Sequence, residues 1–272
     1  MCRMHGLVTD TDVSMWTSRS RTPALYPDAV TLAPDISVDW LLDRIDRSPG
    51  CSIKDSFASL DLADHGFRVL FDGHWIVREP NESLVVAAGP RWTVVSGADA
   101  FVSWEIAWRG RNGPVDVLRP GLLSLSAVTV LAALVDERIV GGAVINQGPK
   151  VIGISNFFTE GERRSENWRG CLAFIDTLFP GATLVGYESG VILDLVRSLG
   201  VVTAGPMRVS VNQPNGGPQE RPRRRAGRTR LHQRRTLQPR IAALPRPQTI
   251  GPRSGVGVRR RVSSPIKRVC QG

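Results

Sequence analysis

The chain is poor in tyrosine and cysteine, with two and four residues among 272. Cys2, Cys51, Cys171 and Cys270 are widely scattered. No C-x-x-C and no His/Cys pair has zinc-ligand spacing, which argues against a structural metal. In a chain of this size the four read as free thiols of a reducing, cytoplasmic setting. Long apolar runs are also missing. The longest, residues 121–135, is interrupted by Ser124, Ser126 and Thr129, and a bilayer span needs about 20 residues, so no membrane partner is expected. The first residues hold no apolar segment of the secretory type, and Met15 offers an alternative start. There is no G-x-S-x-G, no G-x-x-x-x-G-K-[ST] and no H-E-x-x-H. Nucleophile-elbow hydrolases, phosphate-loop enzymes and zinc peptidases therefore lack support. Gly255 and Gly257 have no third glycine after them and make no dinucleotide site.

Acidic residues are nearly absent from one region. Residues 213–272 hold 16 of the 35 Lys and Arg and one acid, Glu220, together with eight of the 19 prolines and no Phe, Trp or Tyr. Such a stretch buries too little apolar surface to offset the cost of ordering its backbone, so residues 212–272 are read as a disordered tail. Its arginine clusters at 223–225, 234–235 and 259–261 suit non-specific binding of nucleic acid through phosphates. Without aromatics, base stacking is not supported. The abrupt change in composition also fits a coding frame displaced in a G+C-rich gene. The rest of the chain is mildly acidic, which excludes a uniformly basic nucleic-acid-binding domain.

Residues 1–36 are polar and carry Pro23, Pro27 and Pro34, the signature of a flexible N-terminal arm. Ser37 then suits the N-cap of a short helix with Val38, Leu41, Leu42 and Ile45 on one stripe, closed by Pro49 and Gly50. Within FRVLFDGHWIVR, Asp72 and Gly73 predict a two-residue hairpin turn, and residues 84–87 a third short strand. His65 and His74 lack partners at ligand spacing and read as structural or solvent-facing. Residues 91–95 predict a strand. Ser96 and Asp99 resemble a capping box before a helix whose Phe101, Trp104 and Trp108 form a core stripe. Three apolar runs, at 128–135, 139–146 and 151–158, are joined by links short enough to require antiparallel neighbours. Residues 166–179 form an amphipathic helix and 183–188 a strand. Ser189 caps a helix with Ile192, Leu195, Val196 and Leu199 on one side. A last strand over 201–209 bends at Gly205 and Pro206.

The order strand, helix, three-strand meander, helix, strand, helix, strand resembles the GNAT acyl-CoA N-acyltransferase superfamily. The residues carrying the likeness are VTVLAALVDERIVGGAVINQGPKVIGISNFF, WRGCLAFIDTLF and LVGYESGVILDLVRSLGVVTAGPMRV. The expected fold class is α/β (α+β): a GNAT-like mixed, mostly antiparallel central sheet flanked by helices. The domain would span 37–211, with its core at 91–209 and a helix and hairpin extension at 37–90.

The resemblance implies transfer of an acyl group from acetyl-CoA or another acyl-CoA to an amine, borne by a small molecule or a protein. Attack on the thioester needs a base to remove a proton. Glu188, at the end of its strand, is the candidate catalytic base. Phe157, Phe158 and Thr159 would supply backbone contacts to the pantetheine. Arg163, Arg164, Asn167, Trp168, Arg169 and Gly170 would hold the pyrophosphate, because a helix N-terminus favours anions. Asn167 and Leu172 replace residues of the family's phosphate motif, and Val196 stands where its proton-donating tyrosine would be. The alternative is a catalytically inactive binding or interaction module of the same fold, its basic tail adding affinity for polyanions.

Overall fold

The computed structural model describes residues 2–80, 89–161 and 163–213. The strand expected at 84–87, Cys270 and all but the first residues of the basic tail lie outside the described residues.

Among the described residues, eleven strands form one sheet in the order β1-β2-β3-β4-β11-β5-β10-β9-β8-β7-β6. They are β1 (Thr9–Thr11), β2 (Met15–Ser18), β3 (Ala29–Thr31), β4 (Ser52–Asp55), β5 (Phe67–Arg78), β6 (Arg91–Val94), β7 (Val128–Val135), β8 (Arg138–Gln147), β9 (Val151–Thr159), β10 (Thr183–Glu188) and β11 (Val202–Asn212). Only β3–β4 and β9–β10 run parallel. Four α-helices join them: α1 (Val38–Leu42), α2 (Ala98–Arg109), α3 (Arg164–Leu178) and α4 (Gly190–Ser198).

The apolar pattern explains the layers. Strand side chains alternate between faces, so β7 sends Val130 and Ala132 to one side and Leu131 to the other. On the first side they pack with Phe101, Trp104 and Trp108 of α2 and with Val144 and Phe158. On the second, Leu131 joins Ile145, Ile152 and Ile154 against Trp168, Cys171, Leu172 and Ile175 of α3 and Leu193 and Val196 of α4. The covered faces account for the nearly continuous apolar runs of the meander. A third cluster, with Leu41, Leu42, Ile45, Ile53 and Phe67, seats α1.

The first 36 residues form no free arm. Residues 9–31 supply β1, β2 and β3, and Met15, Thr17, Ser18, Ala29 and Thr31 are buried. The segment is held by Asp28, whose Oδ1 accepts from Thr22 N at 2.7 Å and whose Oδ2 accepts from Ser52 N at 2.8 Å. Its low hydrophobicity hid it, because its few buried apolar groups, Met15, Ala29, Val30 and Leu32, are joined by buried polar ones rather than by a long apolar stripe.

The hairpin expected at Asp72 and Gly73 is also absent, since β5 runs through both. Asp72 faces Arg208 across the β5–β11 ladder and accepts its Nε at 2.7 Å. Gly73 faces Met207, and a Cβ there would lie 2.9 Å from Met207 Sδ. Here glycine permits close approach of a partner strand rather than a turn. A local turn signal yields to ten residue pairs with β11.

Smaller differences concern helix ends. Ser37 Oγ accepts from Trp40 N as expected, but α1 stops at Leu42, well before Pro49. Gly97, at φ 86°, caps α2 in place of the Ser96 box. Ser189 occupies the N-cap of α4 without a side-chain hydrogen bond.

Candidate active site

The site lies where β9 and β10 part. Their parallel pairing covers three positions, ending at Gly153–Val185. From Ile154 to Thr159, β9 continues beside β8 alone. Its register with β8 slips between Val144–Ser155 and Gly142–Phe158, leaving one extra residue on β9. Asn156 sits in this bulge with φ 53°. Bulges twist a strand and re-aim its groups. Among the described residues, the β9 edge facing β10 has no strand partner from Ile154 onward.

Helix α3 begins just beyond. Its N-cap, Arg163, makes no side-chain capping bond. The first-turn amides are orphan donors at the positive end of the helix dipole. Arg163 is exposed and Arg164 half-buried. Two carboxylates stand nearby, both engaged: Glu166 lies 3.7 Å from Arg163 Nε, and Glu160 pairs with Arg138 at 2.5 Å.

The other candidates divide into surface and core. Asn167, Trp168 and Gly170 are buried inside α3, and Arg169 is half-buried. Asn167 Nδ2 donates to Thr159 Oγ1 and so ties α3 to the end of β9. Trp168 stacks on Phe157 with ring centroids 4.0 Å apart. Phe158 points the other way and meets Trp104 edge-on at 5.5 Å. A Cβ on Gly170 would lie 2.6 Å from Trp92 Nε1. Gly170 therefore admits an indole from β6, and the Asn167 amide is engaged by Thr159. The spacing of a phosphate motif could not distinguish these roles, because the packing partner is Trp92, some 80 residues earlier.

Glu188 ends β10 opposite His74 of β5. Burial pushes its carboxyl up to about 8, against a hydrogen bond from the Ser189 amide that lowers it. A carboxyl titrating there can accept a proton near neutrality. Val196 is fully buried in the core between α3, α4 and the sheet, so α4 offers no proton donor at that position.

Tyr26 escaped the sequence reading. It lies in the N-terminal segment, and its phenol oxygen accepts from Asn156 Nδ2 at 3.4 Å. Only its being one of two tyrosines marked it in the sequence. Tyr187, the other, packs edge-on against Trp75 at 5.9 Å, and the ammonium of Lys54 lies 3.9 Å over its ring.

No protein-family model matches the sequence, and no curated protein matches it. Among solved structures, a GCN5-related N-acetyltransferase from Kribbella flavida superposes with a TM-score of 0.55 at 16% identity, over 79% of this chain and 94% of that one. A functionally unknown conserved protein from Staphylococcus epidermidis ATCC 12228 gives 0.54 at 14% identity, over 75% and 93%. The fold is that of the GCN5-related N-acetyltransferases. In this GNAT fold the meander is β7–β9 and α3 is the crossover helix between the parallel strands β9 and β10. β1–β4 continue the sheet beyond β11. No helix of the described residues is long and apolar enough to cross a membrane. Among the described residues, no group of three or more His, Cys, Asp and Glu could hold a metal ion.

Proposed function

We propose that the protein transfers an acyl group from acetyl-CoA or another acyl-CoA to an amine. One observation carries the reading: the unpaired edge of β9 and the uncapped start of α3 open at the same end of the sheet. An elongated thioester carrying a pyrophosphate needs both. Amide groups along 157–159 would hold the pantetheine. The first-turn amides of α3, with Arg163 and Arg164, would hold the pyrophosphate, since oriented amides and guanidinium groups suit phosphate oxygens. Of the expected contacts, Asn167, Trp168 and Gly170 would serve by fixing α3 against β9 and β6 rather than by touching the ligand. Arg169 stays a peripheral candidate.

In the proposed reaction Glu188 takes a proton from the incoming ammonium. The free amine attacks the thioester carbon and the C–N bond forms; the C–S bond then breaks, and the second proton of the attacking nitrogen passes to the departing thiolate, leaving an amide and a free thiol. The acceptor class is an amine on a small molecule or a protein. The three described cysteines are free, which suits a cytoplasmic setting. The basic tail would add sequence-blind affinity for nucleic acid, as its composition suggests.

The buried Val196 favours a second reading, a binding module of the same fold without catalysis. Calorimetry of the full chain with acetyl-CoA separates the two. Micromolar binding, weakened on the order of tenfold by Arg164→Glu (about 1.4 kcal/mol), is the expected result. No heat at millimolar acetyl-CoA would overturn the acyltransferase reading.

A further inference from the structure

Two backbone strains converge on Tyr26. Leu25, just before it, has φ 73°, in a turn where Tyr26 N donates to Pro23 O at 3.1 Å. Asn156, its partner, has φ 53° in the β9 bulge. A bulky residue such as leucine seldom adopts the left-handed region. Strain of this kind persists only where the surroundings over-determine it, and it gathers at functional sites.

The surroundings here are specific. Thr22 Oγ1 donates to the Tyr26 carbonyl at 2.7 Å, and Ser52 Oγ donates to the same oxygen at 3.3 Å. The fully buried Asp28 carboxylate also accepts from Thr22 Oγ1 at 3.1 Å and from Arg21 Nε at 3.2 Å. The ring of Tyr26 packs at the margin of the α2 core cluster. Its hydroxyl oxygen accepts from Asn156, and among the described residues its own proton meets no acceptor. The result is a rigid, half-buried O–H donor beside the bulge of β9. Burial pushes the phenol up to about 12, with Tyr187 on β10 contributing to the rise, so the proton stays in place at neutral pH.

We propose that Tyr26 donates a hydrogen bond to the oxyanion that forms when an amine attacks the thioester carbonyl. The proposal rests on the acyl-transfer reading above and adds a catalytic residue from the segment between β2 and β3. When the C–N bond forms, the carbonyl electron pair moves onto oxygen, where Tyr26 O–H meets it. The pair then re-forms the carbonyl and the C–S bond breaks. Tyr26 keeps its proton throughout. A preorganised donor aimed at developing charge accelerates the step without tightening substrate binding.

The test uses the full chain and its Tyr26→Phe variant, which keeps the ring and its packing. Acetyl-CoA affinity is measured by calorimetry, and thiol release from acetyl-CoA is followed with a panel of primary amines. The expected result is unchanged acetyl-CoA affinity, unchanged KM, and kcat lowered on the order of 100-fold. Asn156→Ala, which frees the phenol to turn, lowers kcat by a smaller factor. Equal kcat in wild type and Tyr26→Phe, with acetyl-CoA bound by both, overturns the role of Tyr26 and leaves acyl transfer standing. So does a rise in KM with kcat intact, which would make Tyr26 a binding residue only. Wild type that binds no acetyl-CoA, or binds it and releases no thiol, overturns the acyl-transfer reading and this proposal with it.

Discussion

Arg78 on β5 and Asp176 on α3 meet through two parallel hydrogen bonds, Nη1 to Oδ1 at 2.6 Å and Nη2 to Oδ2 at 2.8 Å. The Arg78 side chain is 5% exposed and that of Asp176 21%. This fork-to-fork pair ties the last turn of α3 to the central strand β5. Removing one partner strands a buried charge. Asp176→Ala is expected to lower stability by about 3 kcal/mol, measured by urea denaturation. Replacing both residues with apolar ones of similar volume should be far milder. A loss below about 1 kcal/mol for Asp176→Ala would show that water reaches the guanidinium.

Gly170 and Trp92 give a prediction whose sign changes with background. A methyl group at 170 would collide with the Trp92 indole. Overpacking of this kind costs about 1–3 kcal/mol, against a gain of about 1 kcal/mol in helix propensity. Gly170→Ala should therefore destabilise the wild-type chain. In a Trp92→Leu chain the collision is gone, and the same substitution should stabilise. Thermal melts of the four proteins decide it. A destabilising effect of equal size in both backgrounds would mean that Trp92 is not what the glycine accommodates.

Glu188 should leave a mark on the pH dependence of folding. Its carboxyl is raised from an ordinary value of 4.5 to about 8 by burial. Between these values the unfolded chain loses the proton and the folded chain keeps it. Stability from this group is thus fully present below about 4.5 and is lost as pH rises through about 8. Glu188→Gln should flatten that slope in urea titrations between pH 5 and 9. As the base must be ionised to work, thiol release should rise with pH up to about 8 in the wild type and be largely lost in Glu188→Gln.

Asp28 predicts that the N-terminal segment is part of the folding unit. Asp28 accepts four hydrogen bonds in a fully buried position. Asp28→Ala should cost about 3 kcal/mol by leaving buried donors unsatisfied. A chain beginning at residue 37 should aggregate on size-exclusion chromatography, because it loses β1–β3 and bares the edge of β4. A monomeric, cooperatively melting truncation would refute this.

The sequence by itself determined the elements whose partners are close along the chain. The meander followed from its short links, α3 from the spacing of Trp168, Cys171, Leu172 and Ile175, and the α2 stripe from Phe101, Trp104 and Trp108. Periodicity reports which face of an element is buried, and short links leave few ways to place neighbours. Tertiary structure alone decided what depends on distant partners. It made Asp72 and Gly73 mid-strand residues opposite Arg208 and Met207, set Gly170 against Trp92, and drew Tyr26 to Asn156 across 130 positions. Pairing across such separations is set by burial and hydrogen bonding in the whole fold, and no local pattern of residue types encodes it.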